Sequence, residues 1–194
     1  MQTWLRIVGI AVAAGGAFAV AAQAQDTPTD YFSIGIATGW AEEESGGATI
    51  DYERGTGLHL AYGRDYGTFR WEVEGLRQEA DRDYIESGGR RRNLGGSADA
   101  LALMVNGWID IETGTAFTPF IGGGVGVVRF SGDGIAGAQG DSDTSFAAQI
   151  GVGMAYQIND SMAIEAALRQ FAARDVNDYD VDISSILIGL RFSF

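Results

Sequence analysis

From Tyr31 to the last residue, apolar side chains recur at every second position in segment after segment, and this alternation most narrows the folds open to the chain. Successive side chains of a β-strand point to opposite faces, so period two puts the apolar set on one face. In 31–40, Phe32, Ile34, Ile36 and Trp40 fall on one face, with Ser33, Gly35, Ala37 and Gly39 on the other. The contrast returns in 55–64 (Leu58, Leu60, Tyr62 against His59, Ala61, Gly63), in 68–78 (Phe69, Trp71, Val73 against Arg70, Glu72, Glu74) and in 97–110 (Leu101, Leu103, Val105 against Ala100, Ala102, Asn106). It continues in 117–130, where Ile121, Val125 and Val127 oppose three glycines, and in 144–158, 161–171 and 183–194. Eight strands are predicted, an even number, and no helical stripe competes.

A soluble sandwich also alternates. Two features separate this chain from one. Its segments match the roughly 9–11 residues that cross a bilayer at a tilt, and its charges share a face with its glycines, as in a crowded lumen with lipid outside. The connections supply a third feature. Those at 65–67, 111–116 and 159–160 are short, and those at 41–54, 79–96, 131–143 and 172–182 are long, in strict alternation. The expectation is an all-β, eight-stranded antiparallel up-and-down transmembrane β-barrel with four loops outside and both termini periplasmic. Tyr31, Phe32, Trp40, Tyr62, Tyr66, Phe117 and Phe130, near strand ends, are expected in the interfacial girdles.

Residues 1–24 read as a secretory signal: Arg6 supplies the positive n-region, 7–20 form the apolar stretch, and Ala22-Gln23-Ala24 is a cleavage site, leaving 25–194 as the barrel domain. No long apolar run follows residue 24, which excludes a helical membrane protein. Every basic side chain is Arg, and removing Arg6 moves the formal charge from −13 to −14. So acidic a chain excludes nucleic acid as a partner, because phosphates need a basic surface.

Phe69-Arg70-Trp71-Glu72-Val73-Glu74-Gly75, the run Thr118-Pro119-Phe120-Ile121-Gly122-Gly123-Gly124-Val125-Gly126, and the ending Gly189-Leu190-Arg191-Phe192-Ser193-Phe194 together resemble the small outer-membrane barrels related to the OmpA transmembrane domain, OmpX and the opacity-type surface antigens. The resemblance covers nearly all of 31–194. It implies a Gram-negative outer-membrane protein, and a role as surface antigen, adhesin or membrane stabiliser.

Candidate residues fall into three groups. Arg70, Arg169 and Arg191 balance Glu72, Glu74 and Glu165 on the inward face and read as a paired luminal network; the rival reading is a charge-lined ion or small-solute path. An eight-stranded barrel is just wide enough for side chains to fill, which favours the network. Arg90, Arg91 and Arg92, the only basic cluster, are a candidate anion contact, set against a mixed-charge solvated loop. Ile188, Leu190, Phe192 and Phe194 share one face and resemble the C-terminal signal read by the barrel-assembly machinery. His59 is the single histidine. It lacks the His-x-Ser arrangement of lipid A deacylases and reads as a luminal filler, so a lipid-modifying enzyme is the least favoured class. The acids at 141–143 and 175–182 miss the EF-hand pattern, Ile183 standing where its Gly belongs. No catalytic, metal or cofactor residue is assigned. The expected partners are outer-membrane lipid, lipopolysaccharide, the assembly machinery and an unidentified extracellular ligand.

Overall fold

The computed structural model describes residues 27–45, 48–52, 55–87, 90–93, 97–132, 143–176 and 179–194. The expected signal at 1–24 and its cleavage site lie outside them. Ten strands form one antiparallel sheet: β1 (Thr29–Ser45), β2 (Ala48–Tyr52), β3 (Gly55–Asp65), β4 (Phe69–Ser87), β5 (Arg90–Asn93), β6 (Ser97–Asp110), β7 (Phe117–Gly132), β8 (Asp143–Asn159), β9 (Met162–Val176) and β10 (Tyr179–Ser193). Among the described residues there is no helix.

Eight of these strands close the barrel, since β10 pairs with β1 from Tyr31↔Ser193 to Glu44↔Asp180. Closure is what a lipid environment demands, because an open edge would leave N–H and C=O groups with no water to bond. The short strands β2 and β5 add to the loop ends of β1 and β4. Following the register once around, Pro119 leads to Met154, Ala166, Ile188, Ile36, Leu58, Arg77, Leu101 and finally Arg129, ten residues further along β7. Such a stagger goes with strands tilted by roughly 40° and an interior filled by side chains.

The short turns are held by local hydrogen bonds. Gly67 takes a positive φ of 88°, which an L side chain would resist, and its N–H donates to Asp65 Oδ1 at 2.7 Å. The Ser161 N–H donates to Asn159 Oδ1 at 3.0 Å across the turn between β8 and β9.

Polarity inverts partway up the wall. On β7 the exposed outward residues run Phe117, Ile121, Val125, Val127 and then Arg129, while the inward glycines give way to buried Val128 and Phe130. On β9 the outward series Ile164, Leu168 ends at Gln170, and the inward Glu165 and Arg169 are succeeded by Phe171 and Ala173. On β10, which enters from the loop end, outward Asp182 and Ser184 give way to Ile186 and Ile188, opposite inward Val181, Ile183 and Leu187. A wall in hydrocarbon must be apolar outside. A wall in water is polar outside and hides an apolar core. The inversion therefore marks where the strands leave the bilayer, and beyond it they continue to Ser45, Ser87, Gly132 and Val176.

Three expectations are corrected by this arrangement. Much of the predicted long loops is strand, because the walls rise past the membrane. The inward face is not uniformly small and polar: its loop-end half is an apolar core of Ala102, Met104, Val128, Phe130, Ala147, Phe171, Ala173, Val181 and Ile183. Two aromatics expected in the girdles lie inside the barrel, Tyr31 in the charged half and Phe130 in the apolar one, because both sit on the inward parity of their strands.

Candidate functional site

The turn-end half of the lumen collects the charged side chains, and the cross-strand register stacks them at neighbouring heights. Glu74 is its hub. Its Oε1 accepts from His59 Nδ1 and Arg169 Nη1, each at 2.5 Å, and its Oε2 accepts from Asn106 Nδ2 at 2.5 Å and Gln149 Nε2 at 2.7 Å. Arg70 reaches Asp110 Oδ2 at 2.9 Å and Glu165 Oε1 at 3.0 Å, with its guanidinium 4.7 Å above the Phe120 ring. Arg191 joins the same cluster, 3.5 Å from Glu165 Oε1 and 4.0 Å from Asp110 Oδ2. Glu72 is held by neutral donors: Tyr31 Oη at 2.8 Å, Trp108 Nε1 at 2.9 Å and Asn106 Nδ2 at 3.0 Å.

All six predicted luminal charges thus lie in one buried region, and Asp110, His59, Tyr31, Asn106 and Gln149 join them. The simple balance of three arginines against three glutamates omits Asp110. Its even number on β6 matches Ala100, Ala102 and Asn106, so face parity alone could have found it. Charges taken out of water need partners, and here aromatic faces and amides add to the ion pairs, although among the described residues Arg169 Nε and Arg191 Nη1 make no hydrogen bond. Arg169 lies 5.1 Å from the Trp108 ring centre and Arg191 5.6 Å from that of Tyr31.

Ser33 Oγ lies 3.1 Å from His59 Nε2, so Ser33, His59 and Glu74 form a chain with the connectivity of nucleophile, base and orienting acid. Their exposures are 1 %, 1 % and 0 %. A substrate carbonyl has no approach to Ser33 Oγ, and Glu74 is already held by three further donors.

At the loop end, the β5 residues Arg90, Arg91 and Arg92 pair in register with Ser87, Glu86 and Ile85 of β4, which puts the basic cluster on a hairpin raised above the inversion. Their side chains lie outside the described residues, as do Asp141 and Asn177-Asp178 of the acidic segments. Ile188, Leu190, Phe192 and Phe194 are exposed on the outer wall, and the Phe194 N–H donates to the Asp30 carbonyl at 2.9 Å, tying the last residue to β1.

Residues 10–194 match the outer membrane protein beta-barrel domain family. The outer membrane protein PagN of Salmonella typhimurium is 30% identical over 115 residues, covering 47% of this chain and 48% of that one, so the chain spans about half the length of this curated relative. Neisserial surface protein A, NspA, superposes with a TM-score of 0.66 at 16% identity over 87% of this chain and 100% of that one. Ail, the attachment invasion locus protein of Yersinia pestis, solved in complex with the heparin analogue sucrose octasulfate, superposes with a TM-score of 0.53 at 18% identity, covering 87% of this chain and 100% of that one. With a closed eight-stranded barrel, an apolar outer belt and this match over most of its length, the chain belongs to the outer membrane protein beta-barrel domain family.

Proposed function

We propose that this is a non-enzymatic surface protein whose barrel raises a loop-end rim above the membrane to bind an anionic partner, with both termini in the periplasm. The polarity inversion carries the reading. Crossing a bilayer needs only the belt, yet the walls continue past it around an apolar core that stiffens them. A rigid, raised cylinder suits display. Each large side chain in that core contributes about 1.5–3 kcal/mol over its exposed state.

Arg90, Arg91 and Arg92 are the residues we assign to the anion, since guanidinium groups bind phosphate and sulfate in bidentate fashion. The Ail complex with a sulfated sugar offers a precedent of matching chemistry on the same fold. Both rival classes meet physical obstacles. A channel would have to run through the charged cluster and then the apolar core, and an enzyme would need access to Ser33.

The test is binding of cells expressing the protein to immobilised heparin, comparing wild type with the triple variant Arg90→Ala, Arg91→Ala, Arg92→Ala. Loss of binding with unchanged surface level and heat-modifiable migration is expected. Binding by the triple variant at the wild-type level would sink the assignment.

A further inference from the structure

Residues directly opposite one another on paired strands stand on the same side of a sheet, so the register above the inversion sorts the raised wall into two faces. Two rows can be followed from the barrel to the edge strand β5. Val181, Glu43, Ile50, Ile85 and Arg92 are opposite one another in turn, and Val181 belongs to the buried core, so this row continues the inward face. Asp180, Glu44, Thr49, Glu86 and Arg91 form the other row, one residue along on every strand, and it continues the outer face. Strand alternation adds Arg90 to the face of Arg92.

A bulge decides which arginines fall on which side. Asp51 pairs with Tyr84 but Tyr52 with Arg82, so Asp83 is an extra residue and the parity of β4 reverses there. Below it the inward residues of β4 are even-numbered, as Arg70, Glu72, Glu74 and Gln78 are; above it they are odd, as Ile85 is. Without the extra residue, Glu86 and Arg91 would lie inward and Arg90 and Arg92 outward. The two faces differ in charge. Arg82, Arg90 and Arg92 share the inward one, with Glu43 as the acid of the traced row. On the outer one Arg91 stands directly opposite Glu86, with Glu44 and Asp180 along its row, and the next row holds Asp51, Glu42 and Asp182.

Resting on the assignment of this basic hairpin to an anion, we propose that the partner is a linear sulfated sugar chain seated on the inward side of the wall, over the barrel mouth, held by Arg90 and Arg92, and that Arg91 takes no part in holding it. Repulsion decides the side. A sulfate brought to Arg91 comes up against Glu86 at the directly opposed position, where opposite charges pair with each other, and against the acidic rows beyond it. A sulfate on the inward side finds Arg90 and Arg92 two residues apart, about 6.8 Å along a strand, so that the two take separate sulfates of one chain. Arg82 adds positive charge on the same face. The chain therefore lies across the mouth and does not wrap the outside of the wall.

The test compares Arg90→Ala, Arg91→Ala and Arg92→Ala, made singly, for retention of expressing cells on immobilised heparin. Each removes one positive charge, so a response to net charge alone would be equal in all three. Arg90→Ala and Arg92→Ala should each lower retention about tenfold, one decade in affinity, while Arg91→Ala should stay within about twofold of wild type. Surface level and heat-modifiable migration of each variant report folding separately. A loss in Arg91→Ala as large as that in Arg90→Ala or Arg92→Ala, with the triple variant also unable to bind, would overturn the assignment of faces and leave the anion reading standing. Undiminished binding by the triple variant would remove the anion reading and this site with it.

Discussion

Replacing Glu74 with Gln changes almost no volume and removes the charge on which four donors converge. An amide presents one acceptor oxygen and one donor nitrogen, so either orientation sets an N–H₂ group against two donors, His59 and Arg169 on one side or Asn106 and Gln149 on the other. Arg169 also loses the carboxylate 2.5 Å away that compensates its charge in a buried site. Breaking a buried pair by removing one partner costs about 3–5 kcal/mol. We expect Glu74→Gln to lower unfolding stability by that amount, measured by reversible urea unfolding in phospholipid vesicles and followed by tryptophan fluorescence. The same argument predicts that Glu74→Gln combined with Arg169→Gln is more stable than Glu74→Gln alone, because the stranded charge has gone. A loss below about 1 kcal/mol for the single variant, or no recovery in the double, would refute the reading of Glu74 as the ionised hub.

Further outcomes follow from the two-part lumen. Purified wild type should show no steady large conductance in planar bilayers, and neither should Glu74→Gln, since Met104, Phe130 and Phe171 still close the loop-end half; a steady current from the wild-type monomer would contradict a filled lumen. Phe171→Ala should cost about 3–5 kcal/mol in the same urea assay, as for other truncations of buried aromatics, and a near-neutral result would mean that the apolar core is loosely packed. Cys introduced at Gly46, Gly89, Gly137 or Asn177 should react with an impermeant maleimide on whole cells, and Cys at Gly114 or Asn159 only after the outer membrane is opened; the reverse pattern would invert the topology.

Which residues face in and which face out was legible because face is a local property. The parity of Phe32, Leu60, Leu103 and Ile188 needs no knowledge of neighbouring strands, and the closed eight-stranded barrel follows from eight such segments with alternating connections. Tyr31 was misplaced only where aromatic character was allowed to outweigh its odd number on β1. The apolar core at the loop end was hidden for another reason. In Val127-Val128-Arg129-Phe130 the polarity of the two faces is exchanged, so a reading that looks for one continuous apolar face ends the strand there, where the chain is instead passing from lipid into water.

What a single strand cannot disclose is height. Ser33, His59 and Glu74 are all inward by parity, but parity does not say that they meet; that depends on Gly35 pairing with His59 and Ala61 with Glu74, and so on how far each strand slides against the next. Around the whole barrel these offsets sum to the ten-residue stagger, and the strand tilt is its geometric consequence. The same stagger brings Arg77 onto one rung with Leu58 on one side and Leu101 on the other, beside the two carboxylates of Glu79 and Asp99. A one-residue change of register would turn every inward side chain of a strand outward, and so is forbidden by the belt. A two-residue slide would preserve every face and still break the contacts of Glu74 and of Arg77. The polar contacts of the lumen therefore do for this barrel what the apolar belt cannot: they distinguish the native register from its even-numbered neighbours, which is a sufficient physical reason for a membrane barrel to bury so many charges.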